Sequence, residues 1–195
     1  MRARCYGRPM GLATDLSYAV APSNAAHQAV RAVASTRPGA WLLAGVLPTL
    51  DRLVTRVTHG RTTLVEQLAG LPVLVVTTTG RRSGLPRPAQ LVAIPLGDDL
   101  ALLGTNFGQR STPTWVLNLE ADPRATVTHR GVTVDVVARA ATEAERAEVL
   151  AIAGRVYVGY PKYLERVTHR RVRVLVIERR SPHVGDGGPV GQGRR

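Results

Sequence analysis

Cysteine occurs once in this sequence, as Cys5, which excludes an internal disulfide framework and fits a reducing compartment. Lysine is as scarce: Lys162 is the only one, so the net charge of +12 rests on arginine. Aromatic residues make up 4% of the chain and Phe107 is the single phenylalanine, so an aromatic inside a motif stands out. Long apolar runs are also missing. The most apolar window, from Ala40 to Leu47, stops at Pro48, well short of the roughly 20 residues a membrane-spanning helix needs. The basic start is not followed by an unbroken apolar core and a small-residue cleavage site, so no secretory leader is expected. The histidines (His27, His59, His129, His169, His183) are scattered without ligand spacing, and no Gly-x-Ser-x-Gly elbow is present. Neither a metal site nor a serine nucleophile is expected. These absences describe a cytoplasmic protein, with peripheral membrane contact left open.

What is present is a chain of 195 residues with 44% apolar content, enough for one domain with a sizeable core. No internal repeat is visible. The arginine surplus points to an acidic partner: a nucleic acid, an anionic membrane or a polyanionic small molecule. The alternative is a composition bias that leaves most of the charge on solvated surface. No nucleic-acid-binding motif is recognisable and aromatics are not interleaved with the basic residues, so no nucleic-acid partner is expected.

The stretch from Leu71 to Leu119 carries the densest signal. Leu71 to Thr79 is an apolar and β-branched run that reads as a strand buried on both faces. Gly80-Arg81-Arg82-Ser83-Gly84 follows at once, with Arg87 just beyond. Backbone amides of a glycine-bounded turn, a hydroxyl and forked cations are the donors a phosphate requires. A solvated hairpin turn accounts for the same residues equally well. A second polar loop, Gly104-Thr105-Asn106-Phe107-Gly108, precedes a helix that starts at or just after Pro113 and carries Trp115, Asn118 and Leu119. Two polar loops and a helix N-terminus can converge on one ligand.

Elsewhere, residues 1–23 read as a flexible arm, with Met10 as a second candidate start, residues 24–180 as one domain, and 181–195 as a disordered Gly/Pro/Arg tail. Asn24 to Ser35 reads as a helix. From Trp41 to Val57 an apolar stripe, interrupted at Pro48, is either a core-packing helix or an interfacial anchor on anionic lipid. Leu85 to Pro95 reads as a second strand, in which Pro86 and Pro88 argue for an edge position or a bulge near its start. The Gly97 turn, Leu100–Leu103, the Ala125–His129 and Val132–Ala138 hairpin, and Val172–Ile177 complete an antiparallel sheet, the last strand with one face partly wet. Thr142 and Glu145 form a capping box that starts a helix running toward Tyr157. Tyr157, Tyr160 and Tyr163 lie three apart, with Gly159 and Pro161 between them. They form either an aromatic patch sealing the fold or a wall for a flat substrate, with Tyr160 as the hydrogen-bond donor to an oxygen that gains charge.

In the order strand, Thr79-Gly80-Arg81-Arg82-Ser83-Gly84, Arg87, the Gly104–Gly108 loop, then Pro113, Trp115 and Asn118, the sequence resembles the deazaflavin-dependent nitroreductase family. The resemblance spans roughly Arg37 to Arg179. It implies an α+β fold, a flavin-reductase-like split β-barrel of antiparallel strands with flanking helices. It implies an oxidoreductase that passes a hydride from coenzyme F420 to a quinone-like or nitroaromatic acceptor. FMN or haem on the same fold is the alternative, and a homodimer is expected from resemblance alone. It assigns Arg81, Arg82, Ser83 and Arg87 to the cofactor's phosphate and acidic chain. Thr105, Asn106, Phe107 and Gly108 fall to the ring or ribityl chain, Trp115 and Asn118 to the floor, and the three tyrosines to the acceptor pocket. Arg82, Asn106 and Phe107 depart from the commoner residues of the family, which leaves the shape of the second loop open.

Overall fold

A computed structural model describes residues 11–20, 36 and 70–180. The helices read at 24–35 and 41–57 and the tail from 181 onward lie outside the described residues. Seven antiparallel strands form one sheet: β1 (Leu74–Thr79), β2 (Pro86–Leu91), β3 (Ile94–Leu96), β4 (Asp99–Leu103), β5 (Arg124–His129), β6 (Val132–Ala140) and β7 (Val174–Arg179). Their order across the sheet is β2-β1-β5-β6-β7-β4-β3. Among the described residues four helices flank it: α1 (Leu12–Asp15), α2 (Thr114–Ala121), α3 (Glu143–Val156) and α4 (Gly159–Arg166).

The two edge strands are neighbours in sequence. Only Val92 and Ala93 separate β2 from β3, although the two strands lie at opposite ends of the sheet. A sheet joined edge to edge by two residues has to curl until its edges meet, and the result is a half-barrel. The single strand expected from Leu85 to Pro95 is therefore two strands, broken at the seam. The edge placement of Pro86 and Pro88 holds, because a proline without an N–H is tolerated where no further strand pairs. Two tyrosines satisfy the backbone exposed at the seam. The Tyr18 hydroxyl accepts the Ala93 amide at 2.9 Å and lies 2.9 Å from the Ala93 carbonyl and 3.1 Å from that of Pro72. From the other side, the Tyr160 hydroxyl donates to the Val92 carbonyl at 2.6 Å.

Alternation along the strands divides the core in two. Leu74, Val76, Leu100, Leu102, Val127, Val136, Leu175 and Ile177 turn to the concave side, where α1 and α2 add Leu12, Leu16, Trp115, Val116 and Leu119. Ile94, Ala101, Leu103 and Val174 face outward and pack under Val149, Ala153, Tyr160 and Tyr163 of α3 and α4. This second layer corrects two expectations. Four successive residues of β7, Val174 to Ile177, are buried, so that stretch has no wet face: Leu175 and Ile177 join the first core and Val174 the second. Conversely β1 is fully buried only on the side of Leu74, Val76 and Thr78, with Val75 and Thr77 half-covered.

The loose N-terminal arm is also corrected for residues 11–20. Leu12 and Leu16 are each 1% exposed and belong to the concave core, Tyr18 packs edge-on against His129 with ring centres 5.4 Å apart, and Asp15 pairs with Arg179. A short segment rich in Gly, Ala and Ser looks unstructured until a cavity exists to receive its leucines. The capping box at Thr142 and Glu145 forms as expected, and α3 ends with Tyr157 as its C-cap. Among the described residues no helix is long and apolar enough to cross a membrane.

Candidate cofactor and acceptor site

The Gly80–Gly84 turn reverses the chain between β1 and β2. Gly84 sits at φ +65°, and a Cβ on Gly80 would lie 2.6 Å from Ser83 Oγ, so both glycines are demanded by the turn. Its amides are largely committed. Gly80 N–H donates to Leu85 O at 2.9 Å, Ser83 and Gly84 N–H to Gly80 O at 3.1 and 2.7 Å, and Arg81 N–H to Asn118 Oδ1 at 3.1 Å. The expected cradle of free backbone amides is thus corrected: the turn closes largely on its own hydrogen bonds. Its polar side chains point outward. Arg81, Arg82, Ser83 and Arg87 are exposed, and Arg87 donates to Ser83 Oγ at 3.2 Å. None of the three arginines enters an ion pair among the described residues, whereas Arg124, Arg139, Arg171, Arg173 and Arg179 all do.

Asn118 works beneath this turn. It is 1% exposed, and besides accepting from Arg81 its Nδ2 donates to Thr78 Oγ1 at 2.9 Å; Thr78 in turn donates to Arg87 O at 3.3 Å. Trp115, one turn earlier on α2, is 9% exposed and packed into the concave core. Asn118 thus braces the turn from inside, one helical turn along α2 from the core-packed Trp115.

The second loop leaves β4 at Gly104 and leads into α2, so one helix links the two loops. Asn106, Phe107 and Gly108 have φ of 50°, 54° and 81°, three left-handed residues in succession. For a residue with a side chain that conformation costs about 1–2 kcal/mol, so something must hold it. Gly108 N–H donates to Thr105 O at 3.0 Å, Gln109 N–H to Asn106 O at 2.9 Å, and the Asn106 carboxamide to Ser111 O and Oγ at 3.1 Å. Thr105 is 5% exposed. The main support has no signature in the sequence. Arg170 donates to the carbonyls of Gly104, Thr105 and Gln109 at 3.0, 3.1 and 3.4 Å. Burial, with Arg173 nearby, pulls its pKa below the ordinary guanidinium value. Within His169-Arg170-Arg171-Val172-Arg173 nothing in the sequence distinguishes the arginine that turns inward from the two that pair with Glu143 and Glu120.

Phe107 reaches from this loop to the tyrosines, its ring 5.9 Å from that of Tyr163 and at 72° to it. The Tyr157 and Tyr163 hydroxyls are 3.0 Å apart, and Arg166 stands over the Tyr163 ring at 5.7 Å. Burial holds the Tyr163 phenol well above its ordinary pKa, and Tyr157 adds to the shift. Pro161 falls in the first turn of α4, where its missing N–H is harmless, so Gly159 and Pro161 start a helix instead of breaking one. Tyr160 stands apart. It is 7% exposed, against 2% for Tyr163, its ring packs edge-on against that of Tyr157 with centres 5.4 Å apart, and its hydroxyl donates to Val92 O instead of joining the Tyr157–Tyr163 hydroxyl pair.

A curled antiparallel half-barrel with a cationic turn at one strand end, a tensed polar loop at another and an aromatic wall beside it defines a split-barrel oxidoreductase of the flavin-reductase kind. Residues 50–179 match the family described as F420H(2)-dependent quinone reductase. Among solved structures, an F420-H2-dependent reductase (FDR-A) is 28% identical, over 55% of this chain and 94% of its own, with a TM-score of 0.50. Another, described as a domain-swapped dimer, is 24% identical, over 72% of this chain and 99% of its own, with a TM-score of 0.53, and shares the fold. This chain belongs to the F420H(2)-dependent quinone reductase family. It is a reductase whose cofactor is coenzyme F420, which selects one of the three ligands the sequence left open.

Proposed function

We propose that the chain passes reducing equivalents from F420 to a quinone, with the Tyr157–Tyr163 pair and Phe107 forming the acceptor wall. The observation that carries this reading is the meeting of a hydrogen-bonded phenol pair with the aromatic tip of the Thr105–Gly108 loop. The residues fit a polyanionic cofactor: Arg81, Arg82 and Arg87 are exposed guanidinium groups within seven positions, with no carboxylate partner among the described residues. They would hold its phosphate and acidic chain by charge-assisted hydrogen bonds, with Ser83 adding a hydroxyl. When bound, reduced F420 supplies the hydride.

The protein's own part is orientation and charge. Phe107 and Tyr157, both half-buried, offer ring surface against which a flat quinone stacks. As the acceptor gains a hydride, negative charge grows on its oxygen, and a phenol aimed there stabilises it. Tyr163, protonated at neutral pH like any phenol, is held still further from ionising by burial, so it is fit to donate. The relative described as a domain-swapped dimer supports a homodimer as the assembly.

The test is steady-state reduction of a soluble naphthoquinone and a nitroaromatic by reduced F420, in wild type and in Tyr157→Phe and Tyr163→Phe. We expect the quinone to be the better acceptor, and each substitution to lower kcat roughly tenfold with little change in F420 affinity. Preference for the nitroaromatic would overturn the acceptor assignment. Unchanged kcat in both variants would remove the phenol pair from the chemistry.

A further inference from the structure

We propose that Arg170 is a positioning residue that holds the Thr105–Gly108 loop in its ligand-ready shape. The inference rests on reading that loop as part of the cofactor and acceptor site. Three observations carry it. First, one guanidinium bonds carbonyls at both ends of the loop, Gly104 and Thr105 at its start and Gln109 at its finish, so it closes the loop like a clasp. Second, what lies inside the clasp is Asn106, Phe107 and Gly108, all left-handed, a conformation that persists only when its surroundings over-determine it. Third, Arg170 Nε is buried without a hydrogen-bond partner. That desolvation penalty is left uncompensated, which fits a residue retained for what it positions more than for stability.

The neighbouring chain strengthens the grip. Gly104 N–H donates to Arg173 O at 2.9 Å, and His169 Nε2 lies 2.9 Å from Arg110 O, so residues 169–173 run alongside the whole loop. Arg170 is the member of this segment whose side chain spans it. A lysine there keeps the charge but replaces a planar fork by a single ammonium that cannot serve three separated carbonyls.

The experiment compares Arg170→Lys with Arg171→Lys, which disturbs only the surface pair with Glu143. Amide hydrogen exchange is read at Gly108 and Gln109, whose N–H groups close the loop, and F420 affinity is read by fluorescence titration. In Arg170→Lys we expect exchange at those two amides to rise roughly tenfold, with the Gly80–Gly84 turn and the strands unchanged, and F420 affinity to fall by a similar factor. Arg171→Lys should match wild type in both. Exchange that rises uniformly across the sheet would assign Arg170 to global stability and overturn the proposal, as would unchanged exchange at Gly108 and Gln109. Loop exchange that rises while F420 affinity holds would overturn the positioning role. A wild-type protein that does not bind F420 would instead sink the reading of the site, and the exchange arm would still decide whether Arg170 shapes the loop.

Discussion

The phenol of Tyr160 donates to the carbonyl of Val92 at 2.6 Å, tying α4 to one of the two residues that join the edges of the sheet. The donor end of this bond is shielded from water, since Tyr160 is 7% exposed, and Val92 is half-buried. Tyr160→Phe leaves a half-buried carbonyl without its donor, which costs about 1 kcal/mol. Urea unfolding should show a lower midpoint with an unchanged slope, while turnover under conditions where the variant stays folded remains near wild type. A large loss of kcat with full stability would return Tyr160 to the acceptor site.

The outward arginines of the basic turn make the opposite kind of prediction. Arg82 and Arg87 are exposed, and neither joins an ion pair among the described residues. Removing both to alanine should leave thermal stability within a degree or two and weaken F420 binding by roughly 10²-fold at low salt. Wild-type affinity should itself fall as salt rises. Salt-independent binding, or an unaltered Kd in the double variant, would show that the anion is held elsewhere.

Leu16 tests the N-terminal correction. At 1% exposure in the concave core, truncation to alanine should cost about 2–5 kcal/mol, as for other buried leucines. Tyr18→Phe should add a smaller loss, because the buried Ala93 amide loses its acceptor. If residues 11–20 were a free arm, neither change would register in a denaturant titration.

Glu145 gives a pH dependence of definite sign. The Arg139 guanidinium first, then the Thr142 amide, hold its carboxyl down to about 2 from an ordinary value of 4.5. A depressed carboxylate stabilises the fold fully above its unfolded pKa, and that contribution is lost as pH falls from 4.5 toward 2. Glu145→Gln keeps an amide that can complete the cap but loses the ion pair with Arg139. Its unfolding midpoint should therefore fall less steeply than wild type across that window. Parallel curves would mean the pair contributes nothing in solution.

Much of the site was readable because it is local. The two glycines of the basic turn, the capping box at Thr142, the hairpin at Arg130-Gly131 and the helix after Pro113 each follow from residues within a few positions of one another. The spacing of Tyr157 and Tyr163 likewise placed both phenols together once α4 was known to begin at Gly159. What could not be read were partners distant in sequence. Asn118 serves Arg81 across 37 residues, Arg170 serves Thr105 across 65, and Tyr18 serves Ala93 across 75.

By itself, then, the sequence determined the antiparallel strands, the cationic turn, the polar loop and the aromatic cluster, since hydrophobic alternation, glycine conformation and capping act over one or two turns of chain. The tertiary structure alone decided which polar groups remain free for a ligand. Curling the sheet until Val92 and Ala93 bridge its edges consumed the Tyr160 hydroxyl and the N-terminal leucines in closing the fold. It left the guanidinium groups of the basic turn facing outward and joined the Tyr157 and Tyr163 hydroxyls to each other. A buried backbone group must find a partner wherever the fold places it, and no pattern along the chain records which side chain will arrive.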